Sequence, residues 1–162
     1  MFVDSHIHIS RKQYNGTTPC IDSQFENERI LYLSREELIN KMKANDIGFC
    51  IEPAVELESN AQLLDLAADY PGFVYPAVGV HPTRSFLTKW KNRKIIEDLS
   101  LNERVIAIGE LGLDYHYERK KQHRIRQLLW FMWQLKLAYR RKLPLILHIR
   151  EADEDAIKVL RY

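Results

Sequence analysis

Five short runs rich in β-branched and apolar residues recur along the chain, and helical patterns separate them. The runs are Phe2 to His6, GFCIE (Gly48 to Glu52), FVYPAVGV (Phe73 to Val80), VIAIGE (Val105 to Glu110) and LILHI (Leu145 to Ile149). Between them, Ser34 and Glu37 spell an S-x-x-E capping box ahead of Leu38, Ile39 and Met42, which starts a helix. A second helix is expected over 59–70, stopped by Pro71-Gly72. A third is expected over 120–141, where Leu128, Met132, Leu135 and Tyr139 recur at helical spacing with Phe131 and Ala138 alongside, and Leu143-Pro144 ends the pattern. Strand and helix in strict alternation predict an α/β fold with a parallel sheet and right-handed crossovers. The runs near 105 and 145 are apolar at almost every position, as strands covered on both faces are. Pro76 argues that the third strand is shorter than its apolar run. Residues 9–33 read as a long loop, a length that is usually functional or mobile.

The polar residues that end these runs carry the functional signal. The first run leads into His6 and His8, the second ends in Glu52, the third in His81, the fourth in Glu110 and the fifth in His148 followed by Arg150. Residues i and i+2 of an extended segment share a face, so the imidazoles of His6 and His8 can reach one point. Taken alone, an H-x-H pair is also an ordinary pair of satisfied polar groups. In a (β/α) barrel the C-terminal strand ends converge on one face, which makes neighbours of residues scattered along the chain. An open doubly wound sheet spreads them along a crevice, so the barrel is the better reading. Histidines with a carboxylate suit Zn²⁺, Mn²⁺, Co²⁺ or Mg²⁺, and a two-oxygen carboxylate such as Glu110 can bridge a pair of cations, an arrangement suited to phosphoester hydrolysis. The alternative for Glu110 is a salt-bridged strand end, although its setting in IGELGLDY, after four apolar residues and between glycines, calls for strong compensation.

The segments VDSHIH, VGVHP (Val78 to Pro82), IGELGLDY (Ile108 to Tyr115) and QLKLAYRRKLPLILHIREA (Gln134 to Ala152) together resemble the TatD family of metal-dependent hydrolases, within the amidohydrolase-like barrels. They occur in family order and span residues 3 to 152. The resemblance implies a TIM barrel, two divalent cations and phosphodiester hydrolysis, typically of DNA. Carried over residue by residue, it implies that His6 and His8 hold one metal, Glu110 bridges both, His148 holds the second, and His81 sits on the substrate side as a catalytic or phosphate contact. Asp4 is a candidate for orienting the ligand pair from behind. Arg150 offers a bidentate fork to phosphate or to a nearby acid. No covalent nucleophile is required.

The family pattern also has a later histidine and a last-strand aspartate; no histidine follows His148 in these 162 residues. A TIM barrel takes about 250 residues and eight βα units. The expectation is therefore a single domain holding five units of an incomplete barrel, C-terminally truncated, a doubtful nuclease alone and inclined to self-associate through its open edges. Two other functions stand beside the deoxyribonuclease: a metal-dependent amidohydrolase or esterase, including removal of a wrongly attached amino acid from tRNA, and a non-catalytic interaction module.

The formal net charge of +2 is too mild to argue by itself for nucleic acid or membrane. KWKNRK (Lys89 to Lys94) and RKKQHRIR (Arg119 to Arg126) are either solvated faces or a phosphate-tracking surface with Trp90, Tyr115 and Tyr117 as stacking partners. Trp130, Phe131 and Trp133 are expected in the core or an interface. Cys20 and Cys50 form no framework and read as reduced thiols. With no signal-peptide pattern at the start and no membrane-length apolar run, a cytoplasmic location is expected.

Overall fold

The computed structural model describes residues 1–10, 20–22, 29–117 and 120–161. Five parallel strands form one sheet in the order β1 (Phe2–Asp4), β4 (Ile47–Pro53), β5 (Val74–Val78), β6 (Ala107–Asp114) and β7 (Leu145–Arg150). Two short antiparallel strands, β2 (Cys20–Asp22) and β3 (Arg29–Leu31), lie inside the expected 9–33 loop. The rest of that loop falls largely outside the described residues, as does Arg119 of the second basic run. The crossovers carry α1 (Arg35–Ala44), α2 (Ser59–Asp69), α3 (Arg93–Leu99) and α4 (Lys121–Arg141), and α5 (Asp153–Leu160) follows β7. This is the curled arc of an incomplete TIM-type barrel, with β1 and β7 at its edges.

The capping box forms as expected: Ser34 Oγ accepts from Glu37 N, and Ser34 N donates to Glu37 Oε2 at 2.8 Å. α1 and α2 bury Ile39, Met42 and Leu66 with Cys50, Phe73 and Val74. The Cys50 thiol is free, fully buried and pushed up to about 12 by burial, so it remains a neutral thiol. Pro76 is accommodated because β6 pairs with β5 only from Ala77 and Ala107 onward. Its carbonyl accepts from Ile106 N at 3.1 Å, and its missing N–H falls before β6 begins.

The long helix α4 keeps the expected period, and Phe131 and Ala138 of the expected face are buried with Leu128 and Leu135 packed beside them, but the buried stripe is shifted relative to the apolar pattern. Met132 and Tyr139 are exposed, while Gln127, Trp130, Phe131, Gln134, Leu137 and Ala138 are buried against Ile108, Leu111 and Leu113 of β6. The difference comes from the two glutamines, which hydropathy assigns to solvent. Gln134 accepts from Val80 N (2.8 Å) and donates to Val80 O (3.2 Å); Gln127 does the same for Asp114 (2.8 and 2.9 Å). Asn60 in the first turn of α2 completes the set, accepting from Gly79 N and donating to Gly79 O. Side-chain amides thus replace the ladder where the ends of β5 and β6 run past their neighbours, pairing both backbone groups of Gly79, Val80 and Asp114. Trp90 is not a free stacking face, because Arg93 covers it and Trp130 meets it edge-on. No helix among the described residues is long and apolar enough to cross a membrane.

Candidate metal centre at the strand ends

β1 ends at Asp4, two residues earlier than expected, so His6 and His8 lie in the extended segment just beyond it. Ile7 N still donates to Ile51 O at 3.0 Å, which holds that segment against β4 and turns both histidines to the same side. Their Nε2 atoms lie 3.3 Å apart. Asp4 accepts from the backbone N–H of His6 at 3.2 Å, so it shapes the turn that carries the pair.

Glu110 reaches the same point through an irregularity in β6. Along β7, Gly109 pairs with Ile146 and Leu111 with Leu147, so Glu110 is the extra residue of a bulge. Leu111 and Leu113 point to α4, which leaves Glu110 and Asp114 on the opposite face beside His148. The close approach of β7 needs glycine here: a Cβ on Gly109 would lie 2.7 Å from that of Ile146. Beyond the end of β5 the sheet curls enough for Glu110 N to donate to Ala54 O, the residue just past β4.

The two carboxylate oxygens of Glu110 face different partners. Oε2 lies 3.4 Å from His6 Nε2, while Oε1 lies 3.1 Å from His148 Nδ1 and 3.8 Å from His81 Nε2. Two three-residue groups share this one buried carboxylate: His6, His8 and Glu110 on one side, His81, Glu110 and His148 on the other, with ligand atoms within 4.8 Å in each. Burial pushes the Glu110 carboxyl up, but the His148 hydrogen bond and the charges of His81, His6 and His148 hold it below the usual carboxylate range. The His148 hydrogen bond to Glu110 outweighs burial, and with a second bond to Asp114 it raises the imidazole above its ordinary value. His81 is driven the other way, down to about 4, chiefly by burial, so it is neutral at pH 7. Nitrogen and carboxylate donors in sets of three fit a hydrolytic divalent cation, which keeps a coordination position open.

Not every expected residue joins this cluster. Tyr115 faces the opposite way from Asp114, and its hydroxyl donates to Asp155 of α5 at 2.9 Å. Glu52 is fully buried on the helix side of β4, where its carboxylate accepts from Ser10 N at 2.7 Å, so the second strand sends no acid to the site. Burial raises its carboxyl above the usual range. Arg150 stands exposed at the end of β7, its guanidinium 4.8 Å from the centre of the Tyr117 ring.

Two residues of the cluster escaped sequence reasoning. Asp114 Oδ2 lies 2.9 Å from His148 Nε2, and Thr83 N donates to His81 Nδ1 at 3.2 Å. The spacing E-x-G-x-D was a readable signal for the first, because positions 110, 112 and 114 share one face of a strand.

A parallel barrel arc with histidines and a shared carboxylate at its strand ends defines a metal-dependent hydrolase. The chain belongs to the TatD family: residues 3–162 match the family described as TatD related DNase. It is 28% identical over 161 residues to an uncharacterized metal-dependent hydrolase, YabD, of Bacillus subtilis, covering 99% of this chain and 55% of that protein. It is 26% identical over 169 residues to a putative deoxyribonuclease, TATDN3, of Mus musculus, covering 98% and 52%. The crystal structure of YJJV, a TatD homologue from Escherichia coli K12, superposes with a TM-score of 0.78 at 27% identity, covering 99% of this chain and 55% of that one. The chain spans about half the length of the curated relatives it matches.

Proposed function

We propose that this chain contributes the metal centre of a phosphodiesterase acting on DNA, with two divalent cations held by His6, His8, Glu110 and His148. The observation that carries this reading is the division of Glu110, one oxygen toward His6 and the other toward His148. A cation pair, whether Mg²⁺, Mn²⁺, Zn²⁺ or Co²⁺, supplies an activated water at neutral pH and neutralises charge on the scissile phosphate.

The chain's own residues do the rest. His6 and His8 present two nitrogens from one short segment, and the Asp4 turn keeps them together. Asp114 holds His148 at Nε2 and leaves Nδ1 turned to Glu110. His81 receives the Thr83 N–H at Nδ1, so the hydrogen of its neutral ring sits on Nε2. That makes His81 a donor for a phosphate oxygen and a proton carrier rather than a ligand. Arg150 offers a second, charged donor at the rim.

The test is Glu110→Gln, which keeps size and loses the bridging charge. Calorimetric titration with Mn²⁺ is expected to show binding by the wild-type chain and at least a tenfold loss in the variant, with an unchanged circular dichroism spectrum. Equal metal affinity in the two proteins removes Glu110 from the centre and overturns the reading.

A further inference from the structure

Outside the metal cluster, two open hollows lie side by side along the mouth. One, about 560 Å³, begins at His8 and Ser10 and runs between Val55 and Arg84. The other, about 480 Å³, continues beyond Arg84 to Leu87, Lys89 and Lys91. Glu56 and Arg84 line both, and their ion pair at 3.1 Å is the partition between them. Each hollow is large enough for one small-molecule-sized unit.

Arg84 is placed there by the chemistry of the site. It ends the 3₁₀ turn Pro82–Arg84 that directly follows His81, so the same turn that fixes the His81 ring also fixes the guanidinium. The guanidinium is open to solvent on one side: Nη2 holds Glu56 at 3.1 Å while 43% of the side chain is exposed. An arginine fork presents parallel donors that match a phosphate bidentately, so a single carboxylate contact leaves capacity unused.

We propose that the two hollows form one groove for a polynucleotide strand, and that Arg84 binds the phosphate next to the scissile one, released from Glu56 as the strand enters. This rests on the phosphodiesterase reading and adds a selection by length. A dinucleotide occupies only the hollow at His8; a longer strand passes Arg84 and reaches Lys89 and Lys91. Glu58 lies beside the second hollow, so the three cations there face two acids, and the groove is only mildly attractive until Glu56 is displaced.

The experiment measures fluorescence anisotropy of labelled thymidine dinucleotide and octanucleotide with the chain, in EDTA, across a salt series. The octanucleotide is expected to bind at least tenfold tighter than the dinucleotide. Arg84→Ala is expected to weaken octanucleotide binding about tenfold, the scale of one lost charge-assisted contact, and to flatten the salt slope by about 0.7. Glu56→Gln is expected to tighten it severalfold. A purely structural ion pair predicts the same sign for both variants, so opposite signs are the deciding observation; should Arg84→Ala unfold, the gain in Glu56→Gln decides alone. No length preference, or equal-signed shifts, overturns the groove. The metal titration of Glu110→Gln is measured independently of these readings, so a failure of the groove is distinguishable from a failure of the metal centre on which it rests.

Discussion

Asp114 Oδ2 and His148 Nε2 lie 2.9 Å apart across neighbouring strands, so the imidazole that meets Glu110 at one nitrogen is gripped by a second carboxylate at the other. Asp114 is held rigidly in turn, through Gln127 on both its backbone groups and by Tyr117 N donating to its Oδ1.

Asp114→Asn keeps this shape but removes the charge and leaves the amide orientation free to choose the wrong imidazole tautomer. Metal affinity measured by titration is expected to fall about 10- to 100-fold, as when other ligand-orienting partners are lost. Unaltered affinity would show that His148 is positioned by β7 alone.

Metal binding should also depend on pH with a definite sign. His148 is raised above its ordinary 6.5 in the metal-free protein, first by Glu110 and then by Asp114. Its contribution to stability is therefore complete below 6.5 and fades as pH rises through the raised value. A cation must displace that proton, so Mn²⁺ affinity is expected to rise with pH across the same interval, with proton release seen as a buffer-dependent enthalpy. In acid, protonation of the lowered Glu110 and Asp114 carboxyls removes their share of stability. A pH-independent affinity from 6 to 8.5 would contradict this assignment.

Replacing Gln134 by Leu fills the same space with an apolar group and strands Val80 N and O. Two buried, unpaired backbone groups are expected to cost about 2 to 4 kcal/mol in urea unfolding. A cost below about 0.5 kcal/mol would mean that water reaches Val80 and that the amide clamp is incidental.

Gly112 combines a φ of +145° with a position where a Cβ would overlap His148 O. Gly112→Ala is expected to destabilise by about 3 kcal/mol or more, and to weaken metal binding by shifting β7. Gly72→Ala is the control, since its φ of +76° is strained but nothing lies within 4 Å; about 1 kcal/mol is expected there. Similar losses at both sites would show that backbone strain, not the approach of β7, governs Gly112.

The alternation of strands and helices was legible in the sequence, because period and punctuation are local properties: Ser34 and Glu37 cap α1 whatever surrounds them. So was the clustering of polar residues at strand ends, from which His6, His8, His81, Glu110 and His148 could be picked out before any coordinates. Local pattern could not decide which face each of those residues takes. Glu52 and Glu110 both end apolar runs, yet Glu52 is bound to Ser10 under the helices while a bulge turns Glu110 to the histidines. Tyr115 and Asp114 are adjacent and point to opposite sides. The inward face of α4 is legible only in part for the same reason: Phe131 and Ala138 fall on it as the period implies, but Gln127 and Gln134 look like solvent residues until the ends of β5 and β6 supply backbone groups for them to pair with. The sequence by itself determined the order of elements and the supply of candidate ligands, while the tertiary structure decided which side chains meet, because register, bulges and buried hydrogen bonds depend on neighbours distant along the chain.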